Sequence, residues 1–314
     1  MKMSPTVVVH ADWSTSPGKR WMALAVRRDD GHYYLHAPEP VGYTSTWLER
    51  LGAKAGEGSI FLSLDFPIGL PLAYAARAGV TDFLDLLPLL GRGEWVDFFE
   101  VATAAEEISL HRPFYPARPG NTRQQHLLDG LGVDRIDDLR RVCERGYAGR
   151  RAAAPLFWTL GAQQAGKAAI AGWREVLGPA LEQRKDVHFW PFAGPLEDLL
   201  TRDGVVVAES YPAEFYGHLG LAFRPGRDSK RHQASRAANA VALLAWAATN
   251  PVTFSDELVD ALCDGFGETA TGEDRFDAAV GLVGMLNVLL GHRPAGNPPD
   301  EATRRIEGWI LGQA

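Results

Sequence analysis

The chain has 314 residues, 46% of them hydrophobic and 23% charged, with a formal net charge of −7. That is enough apolar material for one large core or two smaller ones, and it excludes wholesale disorder. The acidic balance excludes a surface that coats DNA without specificity, because phosphates are repelled over most of it; a local basic face or a bound cation would still admit nucleic acid.

The first 66 residues read as β-rich. Strands are predicted at 7–11, 21–28 and 32–37, the last two joined as a hairpin through Asp29-Asp30-Gly31. A helix follows over 44–55, with Trp47, Leu48 and Leu51 on one side. A fourth strand over 60–66 is stopped by Pro67, Gly69 and Pro71. Residues 67–203 change character and read as a mostly helical insertion, with a helix at 163–177 and a short strand at 187–190. The last third, 204–314, returns to the core with a strand at 205–209 and helices at 213–219, 229–249, 256–263, 275–290 and 300–311. The expected organisation is a single domain, 1–66 plus 204–314, interrupted by the insertion.

Two cysteines, Cys143 and Cys263, form no C-x-x-C pair and no disulfide framework, which points to a reducing compartment. The apolar run near the N-terminus is too short for a signal peptide, and the longest apolar helical stretches fall short of the ~18 residues of a membrane span. A cytoplasmic protein without membrane contact is expected.

Acidic residues at the ends of apolar strands are the most informative pattern. Asp12 ends the first, Asp65 interrupts the end of the fourth, and Glu209 ends the strand at 205–209. Asp274 and Asp277 lie three apart at a predicted helix start, which puts them on one face. Small residues after Asp277 (Ala278, Ala279, Gly281) let that turn approach a sheet closely. Carboxylates are costly in such places unless paired, and a divalent metal is a common partner. Each has a plainer reading: a turn residue for Asp12, a salt bridge to arginine for Glu209, a helix cap for Asp274. If they converge, Mg²⁺ or Mn²⁺ with hard oxygen ligands would activate water and stabilise a leaving oxygen.

Basic residues crowd two places, Arg224 to Arg236 and Arg112 to Arg151. They are either solvated faces or phosphate contacts beside the acids. Lys230, Arg231 and Arg236 are the phosphate candidates of the first group. Residues 161–168 (GAQQAGKA) nearly match a phosphate-binding loop, but Ala168 stands where a hydroxyl must ligate Mg²⁺. Gln163, Gln164 and Lys167 remain candidates for substrate contact from a helix. The aromatic residues Phe114, Trp158, Phe189 and Trp190 are either core or base-stacking platforms.

The chain resembles the RNase H-like superfamily, and within it the predicted nucleases of domain-of-unknown-function family four-two-nine. The resemblance rests on the Asp12 strand with Lys19-Arg20-Trp21-Met22-Ala23, on Leu64-Asp65-Phe66-Pro67-Ile68-Gly69-Leu70, and on Glu209-Ser210-Tyr211-Pro212-Ala213-Glu214. Lys230 with Arg236, Asp274 to Ala278, and Glu307-Gly308-Trp309-Ile310 complete it. It implies an α/β fold with an RNase H-like, mixed five-stranded sheet flanked by helices. It implies Asp12, Asp65 and Asp277 as metal ligands, with Glu209 and Asp274 in support; the Asp274–Ala278 segment also resembles the closing helix of Holliday-junction resolvases. The expected function is a metal-dependent phosphodiester hydrolase acting on nucleic acid or a nucleotide. The alternatives are a nucleotide- or phosphate-binding protein of the same fold without nuclease activity, and a non-catalytic interaction module.

Overall fold

A strand that is apolar at every position is buried on both faces, which requires a sheet covered on both sides. Val7–Asp12 and Val205–Glu209 are strands close to this kind, apolar apart from His10 and the closing acids, and a mixed eight-stranded sheet is built around them. In the computed structural model, which describes residues 4–146, 151–161, 165–224 and 227–313, the strands are β1 (Val7–Asp12), β2 (Trp21–Arg27), β3 (Tyr33–Leu35), β4 (Glu39–Pro40), β5 (Ile60–Leu64), β6 (Val187–Phe189), β7 (Val205–Glu209) and β8 (Val252–Phe254). Their order is β6-β7-β5-β1-β2-β3-β8, with β4 paired to β2. β1, β5, β7 and β6 run parallel, whereas β1, β2 and β3 are antiparallel neighbours.

The chain is thus α/β, but the expected five strands become eight. β4 and β8 have two and three residues, too few for a period-two pattern to show. β6 comes from within the expected insertion, so that segment contributes an edge to the sheet itself.

The two faces carry separate apolar layers. Val7, Val9, Ala11, Leu62, Leu64 and Val207 point towards the Trp47–Ala55 helix and the 67–203 segment. Val8, Phe61, Val206 and Ala208 point towards the Thr271–Leu289 helix. This helix begins a turn earlier than its apolar run suggests. The predicted 229–249 helix breaks at Asn239 into Gln233–Ala238 and Ala240–Ala248. The predicted 300–311 helix shortens to a π-wound turn, Thr303–Glu307, ended by Gly308 at φ 67°. The predicted 163–177 helix is seen as Ala165–Gly172 continued by π-wound Trp173–Leu177, while Gln163 and Gln164 lie outside the described residues.

Three side chains, Trp173, Arg20 and Arg141, tie the 67–203 segment to the strand ends. Trp173 Nε1 donates to Pro67 O at 2.7 Å, just beyond β5. Arg20, buried after β1, donates to Glu175 and to Ser14 O. Arg141 grips Glu209 at the end of β7 with both terminal nitrogens. Gly172 lies so close to the Phe66 ring that a side chain there would overlap it.

On the other face, Gly281 lets the Thr271–Leu289 helix sit directly on the His10 ring of β1. Alanine in a free helix interior is better than glycine by up to about 1 kcal/mol. Here the added methyl would overlap the imidazole, so overpacking at about 1–3 kcal/mol wins. Gly281→Ala is expected to lower the urea midpoint of unfolding; an unchanged or raised midpoint would contradict this packing.

Candidate active site

Register decides which strand-end acids meet. Ala11 pairs with Leu64, so the next residues, Asp12 and Asp65, emerge side by side on the face of the Thr271–Leu289 helix. The Asp65 amide donates to Ala11 O at 3.1 Å and ties the two ends together. Asp277, buried at 3% exposure, comes from that helix. Its Oδ1 accepts from the Tyr216 hydroxyl at 2.5 Å, and its Oδ2 accepts from the Lys230 ammonium. Lys230 is also 3.2 Å from Glu273 Oε1.

The electrostatics show how crowded this corner is. Burial, then Asp277, Asp65 and Asp274, push the Asp12 carboxyl well above the ordinary range. Burial and then Asp277 raise Asp65 to about 8, against the pull of Lys230. Burial also raises Asp277, with Lys230 and Tyr216 opposing it. Asp274, one turn earlier, is pushed up to about 6 by burial and then by Glu273. Burial disfavours the Lys230 ammonium, yet Asp277, Glu273 and Asp65 together hold its pKa above the usual lysine value. Several carboxylates therefore share one ammonium in a poorly solvated place.

Asp274 is not a cap. The helix starts at Thr271 after Ala270, so Asp274 lies inside it on the same side as Asp277. Glu209 lines the same cleft as Asp65 and its charge helps to raise the Asp65 carboxyl, but it is held differently. It pairs with Leu64 and so points to the opposite face from Asp65. There it accepts from Arg141 Nη1 at 2.6 Å and from the Ile68 amide at 2.7 Å, which is the salt-bridge alternative. Glu144 shares the same guanidinium at 2.9 Å. Arg236 is also corrected. It is buried, and all three of its nitrogens donate to the carbonyls of Gly265, Lys230 and Gly267, so it is turned inward and away from any phosphate in the cleft. It anchors the backbone of Lys230 instead.

Lys230 and Arg231 stay at the site. With Lys167, Asp65, Tyr211 and Glu273 they line a cleft of about 490 Å³ between the strand ends and the Ala165–Gly172 helix. Lys167 reaches the cleft from the first turn of this helix; most of the 161–164 stretch of the near phosphate-loop match lies outside the described residues. Phe114, Phe189 and Trp190 are core, at 2% exposure or less. Trp158 is partly buried and packs edge-on to Tyr115.

Beneath the acids lies a polar group that the sequence reading missed. His10 Nδ1 is 2.8 Å from Ser63 Oγ and 3.0 Å from Ser210 Oγ, and all three are fully buried. Burial lowers the His10 pKa to about 3, so the ring is neutral. The signal was available: His10 and Ser63 each precede a strand-end Asp by two positions, which places them on the same face. Tyr216 and Glu273 were also missed, and neither stands out from its helix in sequence.

Among the described residues, no group of three or more His, Cys, Asp or Glu side chains is arranged to hold a metal ion. The donor chemistry nonetheless suits a hard divalent cation: oxygen ligands only, with mutual repulsion that a cation offsets. Among the described residues, no helix is long and apolar enough to cross a membrane. Comparison of the chain with protein-family models, curated proteins and solved structures finds no match.

Two outcomes follow from these charges. Arg141→Leu leaves Glu209 and Glu144 buried without their cation, so unfolding free energy from urea titration should fall by about 3–5 kcal/mol. Carboxyls with a raised folded pKa bind more protons folded than unfolded, so stability falls as pH rises from the unfolded value to the folded one. That window closes near 6 for Asp274 and near 8 for Asp65. Without divalent ions, melting temperature should decline from acidic towards mildly alkaline pH, and Asp65→Asn should flatten the decline. A flat profile for the parent protein would contradict the raised pKa values.

Proposed function

We propose that this protein is a metal-dependent phosphodiester hydrolase with an RNase H-like core. The observation that carries the reading is the meeting of Asp12, Asp65 and Asp277, from two adjacent strand ends and one helix, at a cleft whose walls bring Lys167, Lys230 and Arg231 among its acids. The central strands support it too. β3-β2-β1-β5-β7 form a five-stranded mixed sheet of the kind the resemblance implies, extended by β6 and β8.

Asp12, Asp65 and Asp277 would hold Mg²⁺ or Mn²⁺, with Asp274 at the rim. Such an ion, when bound, activates water and offsets charge on the phosphate. The other roles belong to side chains of this chain. Tyr216 fixes one oxygen of Asp277 and so sets the orientation of its carboxylate. Lys230 holds the second oxygen and lies at the cleft wall, where it can exchange Asp277 for a phosphate oxygen. Lys167 and Arg231 draw the phosphodiester backbone into a chain that is acidic overall. His10, neutral and buried, acts as a polar support beneath Asp12 and Asp65.

A second reading keeps the cleft but not the cleavage. The Lys230–Asp277 pair is complete in itself, and a lysine-lined cleft suits a nucleotide phosphate without hydrolysis. Calorimetry with a nucleotide panel separates the two readings: tight binding without polymer cleavage favours the second.

The principal test is Mn²⁺-dependent cleavage of labelled DNA and RNA by the parent protein and by Asp65→Asn. Loss of one ligand should reduce the rate by about a hundredfold or more. Equal cleavage by both proteins, or none by either, removes the assignment. At mildly alkaline pH, Mn²⁺ should also raise the melting temperature of the parent by mass action and leave that of Asp65→Asn nearly unchanged.

A further inference from the structure

The Asp65 corner is not on an open face. It is the floor of the 490 Å³ cleft, and the opposite wall is the Ala165–Gly172 helix, which presents Lys167. A cleft of this size matches a single ligand of nucleotide dimensions; such pockets generally measure about 300–1,000 Å³. A phosphodiester that must reach the floor of such a cleft fits as a single strand or an extruded nucleotide, since a paired, stacked duplex is too wide to follow it in.

The wall is held rigidly. Trp173 is bonded to Pro67 O, Gly172 is seated on Phe66, and Arg20 ties the Ser14–Thr15 turn to Glu175. Arg141 is clamped between Glu209 and Glu144 at 0% exposure. Opening the cleft to the width of a double helix would break these buried contacts together. A lid that moves in function is drawn from the weakly packed parts of a fold, and this wall is not one of them.

We infer that the site takes single-stranded nucleic acid, at a strand end or a flap, and excludes an intact duplex; this rests on the phosphodiester-hydrolase reading. Lys167 is the wall's contact to the strand, opposite Lys230. The polymer's negative backbone is met by Lys167, Lys230 and Arg231, while Tyr211, half-buried at the cleft edge, offers a ring to one base.

The test is fluorescence anisotropy with the full chain at fixed salt in Ca²⁺. The probes are labelled single strands of DNA and of RNA roughly 12 nucleotides long and a blunt duplex of the same DNA sequence. The single strands should bind at least about tenfold tighter than the duplex, and Lys167→Glu should weaken them about tenfold. The melting temperature of Lys167→Glu should be unchanged, since among the described residues Lys167 makes no ion pair. Duplex binding as tight as single-strand binding, no effect of Lys167→Glu, or no binding of any probe overturns the inference. A parallel incubation in Mn²⁺ keeps the two readings apart. Single strands bound but not cut would remove the hydrolase reading and leave this inference; a duplex cut in its interior would do the reverse.

Discussion

Repulsion among carboxylates is the constraint around which the rest of the structure is arranged. Asp12 and Asp65 are placed side by side by the hydrogen bonding of β1 to β5, which the backbone fixes irrespective of side-chain charge. Asp277 is brought in by a helix that can come so near only because Gly281 has no side chain. Apolar packing beneath holds the three together against their mutual repulsion. Lys230 supplies one positive charge, and Arg236 uses all three of its nitrogens to fix the loop that presents it. Such an arrangement is not what stability alone would select, and strain of this kind collects at functional places.

A second ionic group on the opposite face obeys different rules. Glu209, Glu144 and Arg141 are buried with matched geometry, and Glu307 accepts from the Leu72 and Val142 amides nearby. These acids have donors for most of their oxygens, so they hold segments together and offer no open ligand set. Two acids that both end strands therefore do unlike work: Asp65 is short of partners, Glu209 is well supplied with them.

The sequence made some of this legible. Strand-end positions of Asp12 and Asp65 follow from apolar runs, and the small residues after Asp277 announced a close helix–sheet contact. The parity of Glu209 could not be read, because a one-residue difference in register sends a side chain to the other face. Its partner was equally hidden: Arg141 is 68 residues away, in an arginine-rich stretch where nothing local distinguishes it. Arg236 misled for a related reason, since a guanidinium that satisfies backbone carbonyls looks in sequence like one that binds phosphate. Short β4 and β8 left no periodic trace, and the apolar 275–290 run hid a helix start whose first turn is polar.

β6 gives the 67–203 segment a further meaning. By pairing with β7 it covers the outer hydrogen-bonding edge of a strand made almost wholly of valine and alanine. An uncovered edge of that composition is a template for strand addition by another copy, the route by which sheet proteins aggregate. A chain trimmed to the minimal core would lose that cover along with the cation of Glu209. What looks like an addition to the fold therefore also keeps the sheet from recruiting its neighbours, and it cannot be removed as a module.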